Sequence, residues 1–371
     1  MTGPAGRAVV HVVATDQRRG AEVFAADLVR ALAAAGVDQR VVVLRPGGGA
    51  TVDFDAPTTR LPHSSSGPRS TVAAVQGLRR VLRSQPDAVV CAHGGEALRA
   101  AVLSGARPLV YRRIGSAPPS ITVGPRRRWH RWLMGRAAVV VCVADAVREE
   151  TIRVFALPAS QVRTVPNGVD PDRLAAPDRA ACRAALGIGP FARVVLSLGS
   201  LSWEKDPVRA VRITQPVRAG DARTVHLFVG DGPLAEAVRA AAGPEGGVTV
   251  RPARPDVGAV LGAADVLLLS SRPDGMEGMP AVVIEAGLSG LAVVADRIAG
   301  VAEVVVDGET GILVAPGDDR AAAEAVAALL DDDDRRRAFG AAAARRCAER
   351  FAIGPVAGAY LAAFEEAAAG A

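Results

Sequence analysis

The chain reads as an α/β protein with two parallel-sheet domains, on three observations. Short Val-rich runs alternate with Ala-rich amphipathic stretches from one end to the other, the rhythm of strands joined by crossover helices. Its 371 residues exceed what one ordinary core holds and suit two domains. Half of the residues are apolar but only 4% are aromatic, so the cores must be built from Ala, Val and Leu.

RAVVHVVA predicts a strand, AEVFAADLVRALAAAG a helix closed by Gly36, and QRVVVL a second strand that runs into the loop RPGGGA. The glycines at 47–49 read as a mobile loop. Strands recur at DAVVCAH, RPLVYRR and AAVVVCVA, with Arg-rich helical segments between them. QVRTVPNGVD closes the series with a strand and a turn, in which Asn167 and Asp170 read as turn formers. The stretch DPDRLAAPDRAACRAALGIGP, rich in Pro, Asp and Ala, marks a junction, and the boundary is expected near residue 188. A second series starts at ARVVLSLGS and continues through VHLFVGDGP, VTVRP, ADVLLLSS, LAVVAD and GILVAP. These patterns predict two Rossmann-like, doubly wound domains, 1–188 and 189–352, facing each other across a cleft, because such sheets take ligands at the carboxyl ends of their strands. ARRCAERFAIGPVAGAYLAAFEEAAAG is helical with a break expected at Gly354-Pro355, and the helix over 353–371 is expected to pack back on the first domain.

The net charge of +5 is spread over many helices and does not indicate nucleic acid. Cys91, Cys142, Cys182 and Cys347 lie far apart without CxxC spacing, so neither a zinc site nor a disulfide framework is indicated. The first residues lack a signal-peptide core and no run reaches the length of a membrane span, so the expected location is cytoplasmic. RRRWHRWLMGRAA admits two readings. A helix there either buries Trp129, Trp132 and Leu133 and solvates its arginines, or docks an anionic membrane at its inner face or a phosphorylated acceptor.

The sequence holds 44 Lys plus Arg, and a single one of them is lysine, Lys205 in GSLSWEKDP. Arginine is a broad planar fork, whereas lysine is a compact point charge on a flexible stem. Lys205 falls at a strand-loop-helix junction after Gly199, where backbone N–H groups and the start of the next helix favour an anion such as phosphate. PDGMEGMPAVVIEAG adds two carboxylates: Glu277 in a loop after ADVLLLSS, and Glu285 in the second turn of a helix opened by Pro280. Gly278 and Met279 are expected to offer free amides. A carboxylate near a helix start can accept two hydrogen bonds from a ribose diol.

These residues carry a resemblance. Glu277 to Glu285 is similar to the E-x7-E motif of retaining glycosyltransferases of family 4, which have the two-domain GT-B fold. GSLSWEKD resembles their GRLxxxKG loop, LFVGDGP their VGDGP turn, TVPNGVD their IPNGVD segment, RRGAEVFAADLVRAL their GGAE loop-helix, and IAGVAEVVVDGETGILVAPGD their long tail motif. The resemblance spans nearly the whole chain in the right order. It implies that the second domain binds a nucleotide-diphosphate sugar, UDP- or GDP-linked. Lys205 then contacts the diphosphate, Glu277 lies by the donor sugar and Glu285 binds ribose. Arg19, Gly20, Gly199, Ser200, Gly230, Arg254, Gly278, Met279 and Pro280 complete the expected donor site. Three departures stand out: Ser200 replaces the usual Arg, Arg19 the usual Gly, and Ile114 in YRRIG the usual His. Arg112, Arg113 or His93 could stand in for that His, and His93 joins Lys205 and Glu277 as a catalytic candidate.

The resemblance further implies retention of configuration, with the leaving phosphate taking the acceptor's proton. No cofactor and no metal are expected, since no DxD-type acidic pair falls near the site and DDDD at 331–334 reads as a solvated helix end. The acceptor is left open among small molecules, glycans and lipid-linked hydroxyls, and so is the oligomeric state. A nucleotide-sugar epimerase or hydrolase, and a non-catalytic nucleotide-sugar-binding protein, stay open beside the transferase. A glycosidase is disfavoured, because no carboxylate pair brackets one sugar.

Overall fold

The computed structural model describes residues 6–62, 68–243 and 246–370. Contacts divide the chain into two units. Unit 1 runs to Val169 and takes back the segment from Ile353 onward, while unit 2 is Asp170–Ala352.

Unit 1 comprises β1 (Val9–Thr15), α1 (Gly20–Ala34), β2 (Gln39–Arg45), β3 (Thr58–Arg60), α2 (Pro68–Arg83), β4 (Val89–His93), α3 (Gly94–Ser104), β5 (Leu109–Arg113), α4 (Gly124–Met134), β6 (Val139–Cys142), α5 (Asp145–Phe155) and β7 (Val162–Thr164). The sheet order is β3-β2-β1-β4-β5-β6-β7, so the winding reverses between β1 and β4. Every residue of β4, β5 and β6 is buried. Strands covered on both faces need apolar residues at successive positions, which is why β6 reads VVVC and β4 opens VVCA without alternation, while β5 departs from this with the buried Arg112 and Arg113.

Unit 2 comprises α6 (Arg179–Ala185), β8 (Arg193–Leu198), α7 (Pro207–Gly220), β9 (Thr224–Val229), α8 (Ala235–Ala242), β10 (Val248–Arg251), α9 (Val257–Ala263), β11 (Val266–Leu269), α10 (Ala281–Leu288), β12 (Ala292–Asp296), α11 (Ala299–Val304), β13 (Gly311–Val314), α12 (Asp319–Asp331) and α13 (Asp333–Phe351). Its order, β10-β9-β8-β11-β12-β13, reverses between β8 and β11. All strand pairings of both sheets are parallel, as the alternation predicts.

The last helix, α14 (Ile353–Ala369), belongs to unit 1. Val356, Tyr360, Phe364 and Ala367 recur at helical spacing and join Phe24, Leu28 and Leu32 of α1 in one core. The Ile353 N–H donates to the Val169 carbonyl at 2.9 Å. The helical break lies at Ala352, in extended conformation, and not at Gly354-Pro355. Pro355 falls in the first turn of α14, where a missing N–H removes no helical bond.

The division at Val169 and Asp170 falls before residue 188, because the Pro- and Ala-rich stretch is fastened to unit 2. Buried Asp265 accepts Arg179 Nη2 at 2.5 Å, Arg183 Nη2 at 2.9 Å and the Val194 N–H at 2.7 Å. Burying one carboxylate with several donors makes α6 part of that fold.

Candidate functional site

In open parallel sheets the crevice for ligands lies where the strand order reverses, at the carboxyl ends. In unit 2 that point is flanked by the loops after β8 and β11. β8 leads into Gly199 at φ +129, a conformation that side chains disfavour. A Cβ on Gly230, just after β9, would stand 1.8 Å from the Gly199 carbonyl oxygen, and one on Gly232 would stand 2.4 Å from that of Leu201. The GDG of the VGDGP segment is thus a backbone contact between two loops, which fixes Gly199 and Ser200 in place.

Next comes a 3-10 turn, Trp203–Lys205, followed by Asp206 at φ +43, whose side chain caps α7 through the Arg209 N–H at 3.3 Å. Ser270 Oγ, just past β11, donates to the carbonyls of Lys205 at 3.0 Å and Asp206 at 3.1 Å. The Arg272 N–H donates to the Glu204 carbonyl at 2.9 Å. The Lys205 turn is therefore fastened to the loop that carries Glu277, and Lys205 Nζ forms an ion pair with Glu277 Oε1. The other oxygen, Glu277 Oε2, is buried without a hydrogen-bond partner among the described residues. Met276, immediately before, holds φ +60, and strain of this kind collects at ligand sites.

Pro280 is the residue before α10, and Gly278, Met279 and Pro280 are buried. A Cβ on Gly300 would come within 1.6 Å of the Gly278 carbonyl oxygen, so the first turn of α11 rests on the backbone beside Glu277. Glu285 lies in the second turn of α10, as expected, with Oε1 2.8 Å from Arg173 Nη2. Arg173 comes from the 3-10 turn Pro171–Leu174, and nothing in its sequence spacing signals this pairing. Arg254 follows edge strand β10 with its guanidinium on Asp256 at 2.6 and 2.8 Å, and the Ala253 N–H beside it donates to Asp231 Oδ2 of the GDG loop at 3.3 Å.

Arg19 and Gly20 belong to unit 1, at the exposed start of α1 after β1. Across that switch point His93 ends β4 and precedes α3. It is buried, and its Nε2 lies 3.1 Å from His11 Nδ1. His11 Nε2 lies 3.0 Å from Gln39 Oε1, and Gln39 Nε2 donates to the Val29 carbonyl at 2.9 Å. Burial pushes the His11 pKa down to about 4. Burial, then His11 and Arg112, holds His93 well below the usual histidine value. His11, Cys91 and His93 bring potential metal-ligand atoms within 4.8 Å of one another. Sequence spacing missed that cluster, because β1 and β4 become neighbours only through the crossover. A thiol pushed up to about 12 by burial suits a metal ligand poorly.

Arg112 is buried with its guanidinium 3.8 Å above the Phe24 ring, and its Nη2 donates to Asn167 Oδ1 at 2.8 Å. Asn167 therefore orients this arginine as well as forming a turn. Arg113 donates to Glu150 at 2.8 Å. Ile114 is half-exposed, and its Cδ1 would be 3.6 Å from a Cβ on Gly94. In the glycine loop at 47–49, Gly47 is fastened to the end of β1, while Gly48 and Gly49 are exposed. The Gly47 N–H donates to Asp16 Oδ1 at 2.6 Å, and a Cβ there would strike the Gln17 backbone. On α4, Trp129 and Trp132 are 42% and 40% exposed and stack at 4.9 Å while Leu133 is buried, so of the two readings the one that buries both tryptophans holds only for Leu133.

Two family models match the chain: "Glycosyltransferase Family 4" over residues 18–173 and "Glycosyl transferases group 1" over 192–332, together most of its length. The chain belongs to glycosyltransferase family 4. A D-inositol 3-phosphate glycosyltransferase 2 of Catenulispora acidiphila is 29% identical over 48% of this chain and 45% of that protein. A GDP-mannose-dependent alpha-(1-6)-phosphatidylinositol monomannoside mannosyltransferase of Mycolicibacterium smegmatis is 34% identical over 48% of this chain and 49% of that protein. The matched chain spans about half the length of these relatives. Among solved structures, a glycosyltransferase from Rickettsia africae superposes with a TM-score of 0.79 at 15% identity, covering 97% of this chain and 98% of that one. HepE of Anabaena in complex with UDP and glucose gives 0.79 at 20% identity, covering 95% and 98%. These likenesses establish the two-domain GT-B fold for this family 4 chain.

Proposed function

We propose that this family 4 chain transfers a sugar from a nucleotide-diphosphate sugar to a hydroxyl acceptor with retention of configuration. Unit 2 binds the donor and unit 1 the acceptor. The observation that carries this reading is the Lys205–Glu277 pair held across the switch point of unit 2 by the Ser270 and Arg272 hydrogen bonds. Cleaving the sugar–phosphate bond builds negative charge on the departing diphosphate. A fixed ammonium group stabilises that charge without reorganising as it forms. Glu277 lies beside the donor sugar, and Glu285 accepts from the ribose hydroxyls with Arg173 behind it. The acceptor oxygen bonds to the anomeric carbon on the face the phosphate leaves, and the acceptor's proton passes to the leaving phosphate oxygen. Such a step needs no strong protein base and no metal.

HepE was crystallised with UDP and glucose, and the mycolicibacterial relative is named for GDP-mannose. Thermal unfolding with UDP, GDP and their sugars is the first test, since a ligand of the native state raises the melting temperature. We expect a rise with one nucleotide series and its loss in Lys205→Ala. No rise with any nucleotide would remove this reading, and release of nucleotide from donor without any acceptor would make the protein a hydrolase.

Among the described residues no helix is long and apolar enough to cross a membrane. We also propose peripheral contact with an anionic membrane through α4. The stacked Trp pair lies among exposed Arg126, Arg128, Arg131 and Arg136, with no acidic residue on the helix. An exposed aromatic pair ringed by cations suits the headgroup boundary of such a surface. Flotation with anionic vesicles, lost in Trp129→Ala/Trp132→Ala, is the expected outcome, and equal flotation of both proteins would exclude the contact.

A further inference from the structure

We propose that the buried Arg209–Asp296 ion pair of unit 2 is a positioning device for Lys205, acting through Ser270 to hold the ammonium group where it meets a diphosphate. The inference rests on the donor-binding reading above and adds to it the residues that aim its cation.

The need for such a brace follows from the sheet. At the switch point β8 runs to Leu198 and β11 to Leu269, yet their ladder pairs only Val195 with Val266 and Leu196 with Leu267. Past those residues no strand pairing joins the two among the described residues, and the crevice opens there. The Lys205 loop follows β8 and the Glu277 loop follows β11, so the ladder does not fix one against the other. Apart from the bond between the Arg272 N–H and the Glu204 carbonyl, side chains span the gap. Ser197 Oγ donates to the Leu268 carbonyl at 3.2 Å, and Ser270 Oγ shares its proton between the carbonyls of Lys205 and Asp206.

Arg209 completes the span from beneath. It lies in the first turn of α7 and is 6% exposed. Its Nη1 and Nη2 donate to the two oxygens of Asp296, the last residue of β12, at 2.6 and 3.1 Å. Its Nε donates to Asp319, the first residue of α12, at 2.6 Å, and its Nη1 also lies 3.5 Å from the Ser270 carbonyl. The Arg209 N–H donates to Asp206 Oδ1 at 3.3 Å. The contacts therefore close a ring from Arg209 to Ser270, to Asp206 and back to Arg209. Lys205 is the next residue along the chain, held at its carbonyl by the same Ser270 hydroxyl.

A buried ion pair is a poor means of adding stability, because removing two charges from water offsets most of their attraction and apolar replacements are often neutral. What a bidentate pair supplies is direction, since a planar fork meets a carboxylate in few orientations. Asp296 is itself fixed, for its Oδ1 also accepts the Gly317 N–H at 3.0 Å. Arg209, Asp296 and Ser270 are all buried, and each acts through Lys205 as a positioning residue.

The test is titration calorimetry of the full chain with UDP, UMP, GDP and GMP. In whichever series binds, the ratio of diphosphate to monophosphate affinity reads the contact made by Lys205. Lys205→Ala should lower that ratio about tenfold to a hundredfold, the scale of one charge-assisted hydrogen bond. Arg209→Met/Asp296→Asn removes both charges and keeps an acceptor for the Gly317 N–H. It should lower the ratio about tenfold, with monophosphate affinity and melting temperature close to those of the unaltered chain. Ser270→Ala leaves the ion pair whole and cuts its link to the Lys205 turn, and should do the same. Neither change should lower the ratio further in a Lys205→Ala chain, because the group they position is gone. Equal weakening of monophosphate and diphosphate, or losses that add to that of Lys205→Ala, would show a merely structural role and overturn the inference while the donor reading stands. An unchanged ratio in Ser270→Ala overturns it as well, and decides the matter if the double variant does not fold. A chain that binds none of the four nucleotides removes the donor reading and this inference with it.

Discussion

The carboxyl edge at β8 and β11 in unit 2 and the corresponding edge at β1 and β4 in unit 1 share a topology and differ in what their charged groups do. In unit 2 each cation already has an anion: Lys205 has Glu277, and Arg173 has Glu285. In unit 1, His93 Nδ1 and Glu22 Oε2 are buried with no hydrogen-bond partner among the described residues, and burial, as the first cause, raises the Glu22 pKa. A ligand at the first edge must exchange with a partner that is already bound, so its net gain is modest and its selectivity for a stronger anion is high. A ligand at the second edge meets groups that burial has stripped of water, so each hydrogen bond it supplies counts more fully. Each edge keeps a buried polar atom with no hydrogen-bond partner among the described residues, Glu277 Oε2 in unit 2 and His93 Nδ1 in unit 1, and they differ in that the carboxylate of unit 2 already holds its cation.

The difference can be broken from either side, and the largest effect is expected from the scaffold of unit 1. Phe364→Ala empties a fully buried site between α14 and α1, and should cost about 3–5 kcal/mol in denaturant unfolding. A loss under 1 kcal/mol would mean that α14 is dispensable to that core. In unit 2, Lys205→Ala should lower turnover by roughly two to three orders of magnitude, as removal of one preorganised charge stabiliser does. Lys205→Arg should also be impaired, because a planar fork does not fit the place of a point charge. Near-normal rates in the alanine variant would remove Lys205 from the chemistry. Smaller still, Arg173→Gln should raise the donor KM about tenfold with kcat little changed, the pattern of lost uniform binding. If kcat falls instead and KM holds, Glu285 acts on the reacting sugar and not on the ribose.

The smallest effect is a matter of pH. His11 and His226 are lowered by burial to about 4 and about 3, and His93 well below 6.5. Below pH 6.5 the unfolded chain takes up protons that these folded histidines refuse. Stability is therefore full above that pH and falls as pH drops toward the folded values, by at most about 1.4 kcal/mol per pH unit for each histidine. Unit 1 holds two of them and unit 2 one, so urea unfolding at pH 5 against pH 7 should weaken unit 1 more. Equal losses would show that the paired histidines of unit 1 are not buried neutral.

Much of this was legible in the sequence. The parallel sheets follow from the strand-helix rhythm, and Lys205, Glu277 and Glu285 stand out in the sequence, because lone charges beside glycines are local signals. β3 escaped notice, since three residues of Thr58–Arg60 carry no apolar run. The stretch 170–188 was assigned to the first domain because its Pro and Ala content outweighs Arg179 and Arg183, whose partner Asp265 lies far along the chain. Arg173 and the Gln39–His11–His93 chain were invisible for the same reason: each joins residues that only the crossovers bring together. The choice between buried and exposed Trp129 and Trp132 was not legible, because periodicity shows that a helix has two faces but not which of them the core takes.

The return of α14 to unit 1 has a consequence for how the chain is made. Unit 2 is one uninterrupted run, Asp170–Ala352, and can close as soon as that run has left the ribosome. Unit 1, although synthesised first, must keep the apolar face of α1 uncovered until Tyr360 and Phe364 arrive. The earlier half of the protein is thus the last to be finished, and any nascent chain stalled before residue 353 would be the form that chaperones hold.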